Sequence, residues 1–236
     1  MYSVEKVAIN RGYDVLFCNT GEKPQREFEY LKNLKARRVD GIILISSVVD
    51  AEEIPHQYKN LYTDVPIVLA DRKICGMDMD FITSSNYDGA YNAVKRFASL
   101  GHKHVGIISY GSVSTILDRI DGYRHACQEC GIMLDMRYML TAPTLEEVSI
   151  EKIVDYIQRV PEMTAVIVLN NSILPRVITA TKRVSRKLPD DLSVVTWDDD
   201  ELNELFAIDT VVQQVEKLGQ LAADRLFDVI ENKVSR

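Results

Sequence analysis

The feature that most constrains this chain is an alternation running through nearly all of it. Short, β-branched apolar runs are separated by longer stretches with apolar residues at helical spacing. The runs at 41–45 (GIILI), 65–70 (VPIVLA), 105–109 (VGIIS), 165–169 (AVIVL) and 192–197 (LSVVTW) have the near-continuous apolar character of strands covered on both faces. Residues 13–18 (YDVLFC), 80–83 and 138–141 read as further strands. Helices are expected at 24–38, 87–100, 118–130, 150–159, 173–186 and from 215 onward, with 52–61 a further candidate. Pro24 suits a first helical turn, and Gly101 and Gly131 suit helix ends. Strands alternating with helices imply parallel sheets with helices on both faces. About eight strands are available, enough for one sheet or for two half-size α/β subdomains. No Gly/Ser-rich linker marks a boundary, and there is no short-period repeat.

Composition narrows the function. With 46% hydrophobic and 27% charged residues among 236, the chain has the makeup of a soluble globular protein. No apolar run approaches the roughly 20 residues of a membrane span, and the start, MYSVEKVAINRGY, has no hydrophobic signal core. Four cysteines suit a reducing compartment better than a disulfide scaffold, so a cytoplasmic setting is expected. A formal charge of −7 and a pI near 5.2 make this chain itself a poor grip for a phosphate backbone.

Familiar catalytic signatures are missing. There is no Gly-x-Gly-x-x-Gly after a strand, no Walker loop and no Gly-x-Ser-x-Gly elbow. Cys127 and Cys130, near His125, lack a second ligand pair at zinc spacing and read as structural thiols. His102 and His104 read as a surface turn. The run at 109–114 (SYGSVS) follows a strand and could cradle an anion, but one Gly and three Ser are a weak signal and an ordinary strand–helix loop is the better reading. Neither an enzyme nor a cofactor or metal is expected.

What remains is a set of polar residues just past the ends of several strands. Asp71 and Arg72 follow VPIVLA, and Arg119 lies in the loop-to-helix region after VGIIS. Asn170 and Asn171 follow AVIVL, Asp198 opens the triple acid after VVTW, and Gln213 precedes the last helix. In open α/β sheets, ligands bind outside the carboxyl ends of the strands. Carboxylates, amides and one guanidinium converging there would suit vicinal hydroxyls, as in a sugar, polyol or nucleoside. The plainer reading of Asp198, Asp199 and Asp200 is a solvated turn capping ELNELF, since Asp is a favoured N-cap. Asp198 is the ligand candidate here, with Asp199 and Asp200 expected to cap or brace.

At this point the chain resembles a known family, the effector-binding core of LacI/GalR-type bacterial transcription regulators, whose fold is that of type I periplasmic binding proteins. The likeness rests on 12–44 (GYDVLFCNTGEKPQREFEYLKNLKARRVDGIIL), 65–72 (VPIVLADR), 86–109, 118–132 (DRIDGYRHACQECGI), 188–199 (LPDDLSVVTWDD) and 210–226, in the family's order. The resemblance implies an α/β fold of two doubly wound parallel-sheet subdomains joined by multiple crossovers. They would comprise 1–84 plus 215–236, and 85–214. It implies effector contacts at Asp71, Arg119, Asn170, Asp198 and Gln213. It further implies a homodimer, a small-molecule effector, and operator DNA reached through a head domain that this chain does not contain. The first core strand is likewise expected to be missing and the last crossover cut short. Asn170-Asn171-Ser172 replaces the family's Ala-Asn-Asp, and 142–146 (APTLE) lacks the aromatic that would stack on ligand. A transport-type sugar-binding protein and a regulator answering a protein partner stay open as alternatives. Replacing Arg119 or Asp198 by alanine is expected to abolish effector binding while leaving the fold intact.

Overall fold

The computed structural model describes residues 1–231. The tail 232–236, assigned above to the first subdomain, lies outside the described residues. The chain forms two compact units, Met1–Ser84 with Gln214–Arg236, and Ser85–Gln213.

The first unit holds α1 (Tyr2–Asn10), α2 (Pro24–Ala36), β1 (Ile42–Leu44), β2 (Ile67–Ala70) and β3 (Phe81–Ile82). It is completed late in the chain by α8 (Val215–Ile230). The three strands form a parallel sheet in the order β1-β2-β3. Side chains on a strand alternate between faces, and β2 uses both. Ile67 and Leu69 pack with Phe28 and Leu31 of α2, while Val68 and Ala70 pack with Ala222 and Leu226 of α8. This two-sided burial is what makes IVLA an unbroken apolar run.

The second unit holds the other five strands: β4 (Val105–Tyr110), β5 (Met139–Ala142), β6 (Ala165–Val168), β7 (Ser193–Trp197) and β8 (Asp209–Val211). They pair in parallel in the order β5-β4-β6-β7-β8. One face carries α3 (Asn86–Ser99) and α4 (Ser114–Cys130), meeting Val105, Ile107, Ile167 and Trp197. The other carries α5 (Ile150–Arg159) and α6 (Leu174–Arg183), meeting Ile108, Val166, Val168 and Val194. The short α7 (Glu201–Leu205) joins β7 to β8. α3 and α4 are in backbone contact at Gly122, where a Cβ would overlap the Tyr87 carbonyl oxygen.

Two expected elements are absent. Residues 13–18 are not a strand, because no described residue hydrogen-bonds to them as a ladder; Leu16 and Phe17 remain 57% and 54% exposed. Strand propensity without a partner strand does not make a strand. The candidate helix at 52–61 is two 3-10 turns, Ala51–Glu53 and His56–Tyr62. Pro55 between them cannot continue a helix and caps the second turn. Conversely, β8 is not legible in the sequence, since its three residues, Asp-Thr-Val, carry little apolar signal.

Candidate functional site

In each unit, the carboxyl end of a strand delivers an aspartate in the same unusual backbone conformation. Asp71 follows β2 with φ +65°, and Asp198 follows β7 with φ +64°. Left-handed φ is uncommon for residues with a side chain, although Asp tolerates it better than most. Both are held there by main-chain bonds to the next strand. The Asp71 N–H donates to the Ile82 oxygen at 2.8 Å, and the Asp198 N–H to the Val211 oxygen at 3.1 Å.

In the second unit the polar side chains lie along adjacent strand ends. Gln213 Nε2 donates to both carboxylate oxygens of Asp198, at 3.0 and 3.1 Å. Asn170 turns its Oδ1 inward to accept from the Tyr110 N–H at 3.0 Å, so it ties the ends of β6 and β4 together. Tyr110 and Ser172 join their hydroxyls at 3.0 Å. Thr196 donates to the Val168 oxygen and lies 3.4 Å from Asn171 Oδ1. Asp200, not Asp198, caps α7 by accepting from the Leu202 N–H.

Arg119 is more deeply built in than a loop-to-helix position suggests. α4 begins at Ser114, so Arg119 belongs to the buried stripe Thr115, Ile116, Arg119, Gly122, Tyr123, Ala126 and Cys127. Only 6% of it is exposed. Its Nε donates to Asn86 Oδ1 at 2.8 Å, and Nη1 donates to the Leu169 oxygen. Its guanidinium sits 4.3 Å from the centre of the Trp197 ring. Arg119 couples α3, α4, the end of β6 and the end of β7, so alanine at this position is expected to cost stability as well as binding.

Asp71 belongs to the first unit. Beside it Arg72 donates to Glu22 at 2.5 Å, with its Nε 3.6 Å from Asp71 Oδ2. The loop after β1 in this unit is fixed by Glu27, a carboxylate only 1% exposed. Glu27 accepts from the Ser46 hydroxyl (2.9 Å), the Ser47 N–H (2.6 Å) and the Tyr62 hydroxyl (2.7 Å). Burial and then the Glu27 carboxylate push the Tyr62 phenol well above its ordinary range. Glu27 had a signal in the sequence. It stands four residues before Leu31 and seven before Leu34, a charge on the apolar face of α2.

These groups can donate and accept hydrogen bonds in fixed directions. Among the described residues no group of three or more His, Cys, Asp or Glu side chains could hold a metal ion. No described helix is long and apolar enough to cross a membrane.

Two parallel α/β units with polar side chains at their carboxyl strand ends define a protein of the periplasmic-binding-protein type. A structure titled transcriptional regulator CelR–cellobiose complex superposes with a TM-score of 0.86 at 21% identity, over 99% of this chain and 72% of that one. The periplasmic binding protein-like domain family matches residues 94–236, and the chain belongs to it. Its relatives are LacI/GalR-type regulators. HTH-type transcriptional repressor PurR of Photobacterium profundum is 27% identical over 236 residues, covering 99% of this chain and 70% of PurR. HTH-type transcriptional regulator DegA of Bacillus subtilis is 30% identical over 223 residues, 92% of this chain and 65% of DegA.

Proposed function

We propose that this chain is the ligand-binding and dimerisation core of a bacterial LacI/GalR-type transcriptional repressor, working in the cytoplasm. Its effector is a small polar molecule, a sugar, polyol or nucleoside-like compound, contacted by Asp71, Arg119, Asn170, Asp198 and Gln213. The observation that carries this reading is the pair of left-handed aspartates, Asp71 and Asp198, at carboxyl strand ends. A strained conformation persists where the surroundings enforce it, and such strain clusters at functional sites. Carboxylates presented this way accept from ligand hydroxyls, while amide and guanidinium groups donate.

Operator DNA is assigned to a head domain outside this acidic chain. Effector and operator affinity would then be linked through the dimer, by a coupling of about 1–3 kcal/mol, or about 5–150-fold. Such coupling requires the effector to favour one conformation of the core over another.

Thermal melts against a panel of D-ribose, D-glucose, cellobiose, ribitol and adenosine test the effector class. A ligand at 100 times its Kd stabilises by about 2.7 kcal/mol, which raises Tm by about 5–11 °C for a chain of this size. No shift with any panel member, up to millimolar concentration, would count against a sugar- or nucleoside-like effector. A sedimentation experiment that finds only monomer would count against the dimer.

A further inference from the structure

Asn203 is an unexpected residue to bury in α7. It is 2% exposed, and its Oδ1 has no hydrogen-bond partner. A buried amide oxygen rarely goes unpaired, and each such group calls for an explanation. An apolar residue would leave no orphan acceptor. What Asn203 does provide is one directed bond, from its Nδ2 to the main-chain oxygen of Asp198, 2.9 Å away.

That bond falls on the residue with φ +64°. Asp198 is thus gripped at three points: its N–H by the Val211 oxygen, its carboxylate by Gln213 and its carbonyl by Asn203. The first unit builds the same turn with a different side chain. Asp71, at φ +65°, donates its N–H to the Ile82 oxygen and accepts on its carbonyl from Thr83 Oγ1 at 2.7 Å. An amide in one unit and a hydroxyl in the other supply the same donor to the same atom. The left-handed aspartate is therefore accompanied in both places by a side-chain clamp on its carbonyl.

We propose that Asn203 is a positioning residue for effector binding, clamping the Asp198 turn so that its carboxylate stays beyond the end of β7 and against Gln213. Its importance for binding rests on the reading that Asp198 contacts the effector; the clamp itself does not. Asn203 is too buried to touch the ligand and acts only through Asp198.

Crystal structures of the wild type and of Asn203→Ala read the clamp without any ligand. In the variant, Asp198 should leave the left-handed region, or its carboxylate should part from Gln213. An Asp198 unchanged in both respects overturns the proposal. Asn203→Leu, which keeps the branched four-atom shape of the side chain, repeats the comparison in case alanine leaves α7 unfolded. Calorimetric titration with whichever panel sugar binds the wild type reads the consequence. Both variants should bind at least about tenfold more weakly, with Tm within about 2 °C of wild type, because the orphan acceptor has gone as well. A fall in Tm with affinity retained would make Asn203 merely structural and overturn its role in binding. Should no panel sugar bind the wild type, the effector reading fails, while the crystal structures still decide the clamp.

Discussion

Replacing Arg119 by methionine removes the guanidinium and keeps an apolar stem of similar length. The guanidinium donates to Asn86 Oδ1 and to the Leu169 oxygen, and stacks on Trp197 at 4.3 Å. A hydrogen bond from a charged donor contributes about 1.5–3 kcal/mol and a cation–π contact about 0.5–2 kcal/mol. The gross loss is then about 4–8 kcal/mol, offset in part because the wild type holds a charge away from water. A net loss of about 3–5 kcal/mol is expected, since two buried acceptors are left unpaired while the cost of burying the charge is relieved. At about 2–4 °C per kcal/mol for a chain of this length, Tm should fall by about 6–20 °C. Differential scanning calorimetry measures this directly, with Arg119→Lys as the control. Lysine keeps the charge but lacks the planar fork, so it should fall between methionine and the wild type. A fall of less than about 2 °C for the methionine variant would refute the reasoning, because burial of the charge would then cancel all three contacts. The practical consequence is that loss of effector binding in an Arg119 variant says little unless its fold is measured alongside.

Other expectations follow from the same contacts. Glu27→Gln removes the charge and leaves one acceptor oxygen where two serve Ser46, Ser47 and Tyr62; urea unfolding should show a loss of about 1–3 kcal/mol, and an unchanged midpoint would contradict the buried network. Gly122→Ala places a methyl against the Tyr87 oxygen, a backbone atom that cannot swing away. It should cost about 3 kcal/mol by forcing α3 and α4 apart, read as a lowered Tm; an unaltered Tm would mean that the helices separate freely. Burial pushes the Cys127 thiol up to about 12, so at pH 8 it stays protonated. Iodoacetamide should label the exposed Cys18 and Cys75 first and reach Cys127 only on unfolding; equal labelling rates by mass spectrometry would contradict the packing of α4.

How much of this is legible in the sequence depends on the kind of physics involved. Strands covered on both faces write themselves as continuous apolar runs, so β2, β4, β6 and β7 can be read almost to the residue. Residues 13–18 have the same propensity, but a strand exists only through its neighbour, and sequence does not show which neighbours are present. β8 has too few apolar residues to register, yet its Val211 oxygen holds Asp198 in place. The strand-end polar residues are visible as a set, and Asp198 with Gln213 form one bonded pair. What composition and spacing do not convey is burial of polar groups. The strand-end position of Arg119 is legible, but its burial is not: α4 starts at Ser114 and leaves only 6% of the residue exposed. Asn203 sits in ELNELF with nothing in its neighbours to mark it as buried.

The two left-handed aspartates carry the functional reading. The most direct measurement is calorimetric titration of the panel sugars into wild type, Asp71→Asn and Asp198→Asn, with circular dichroism to confirm folding. Asparagine tolerates the left-handed turn but removes the charge. Each substitution should therefore weaken binding by about 1.5–3 kcal/mol, or about 10–150-fold, the contribution of a charged acceptor. Equal affinity in all three folded proteins would show that neither carboxylate meets the effector, and would contradict the proposed site.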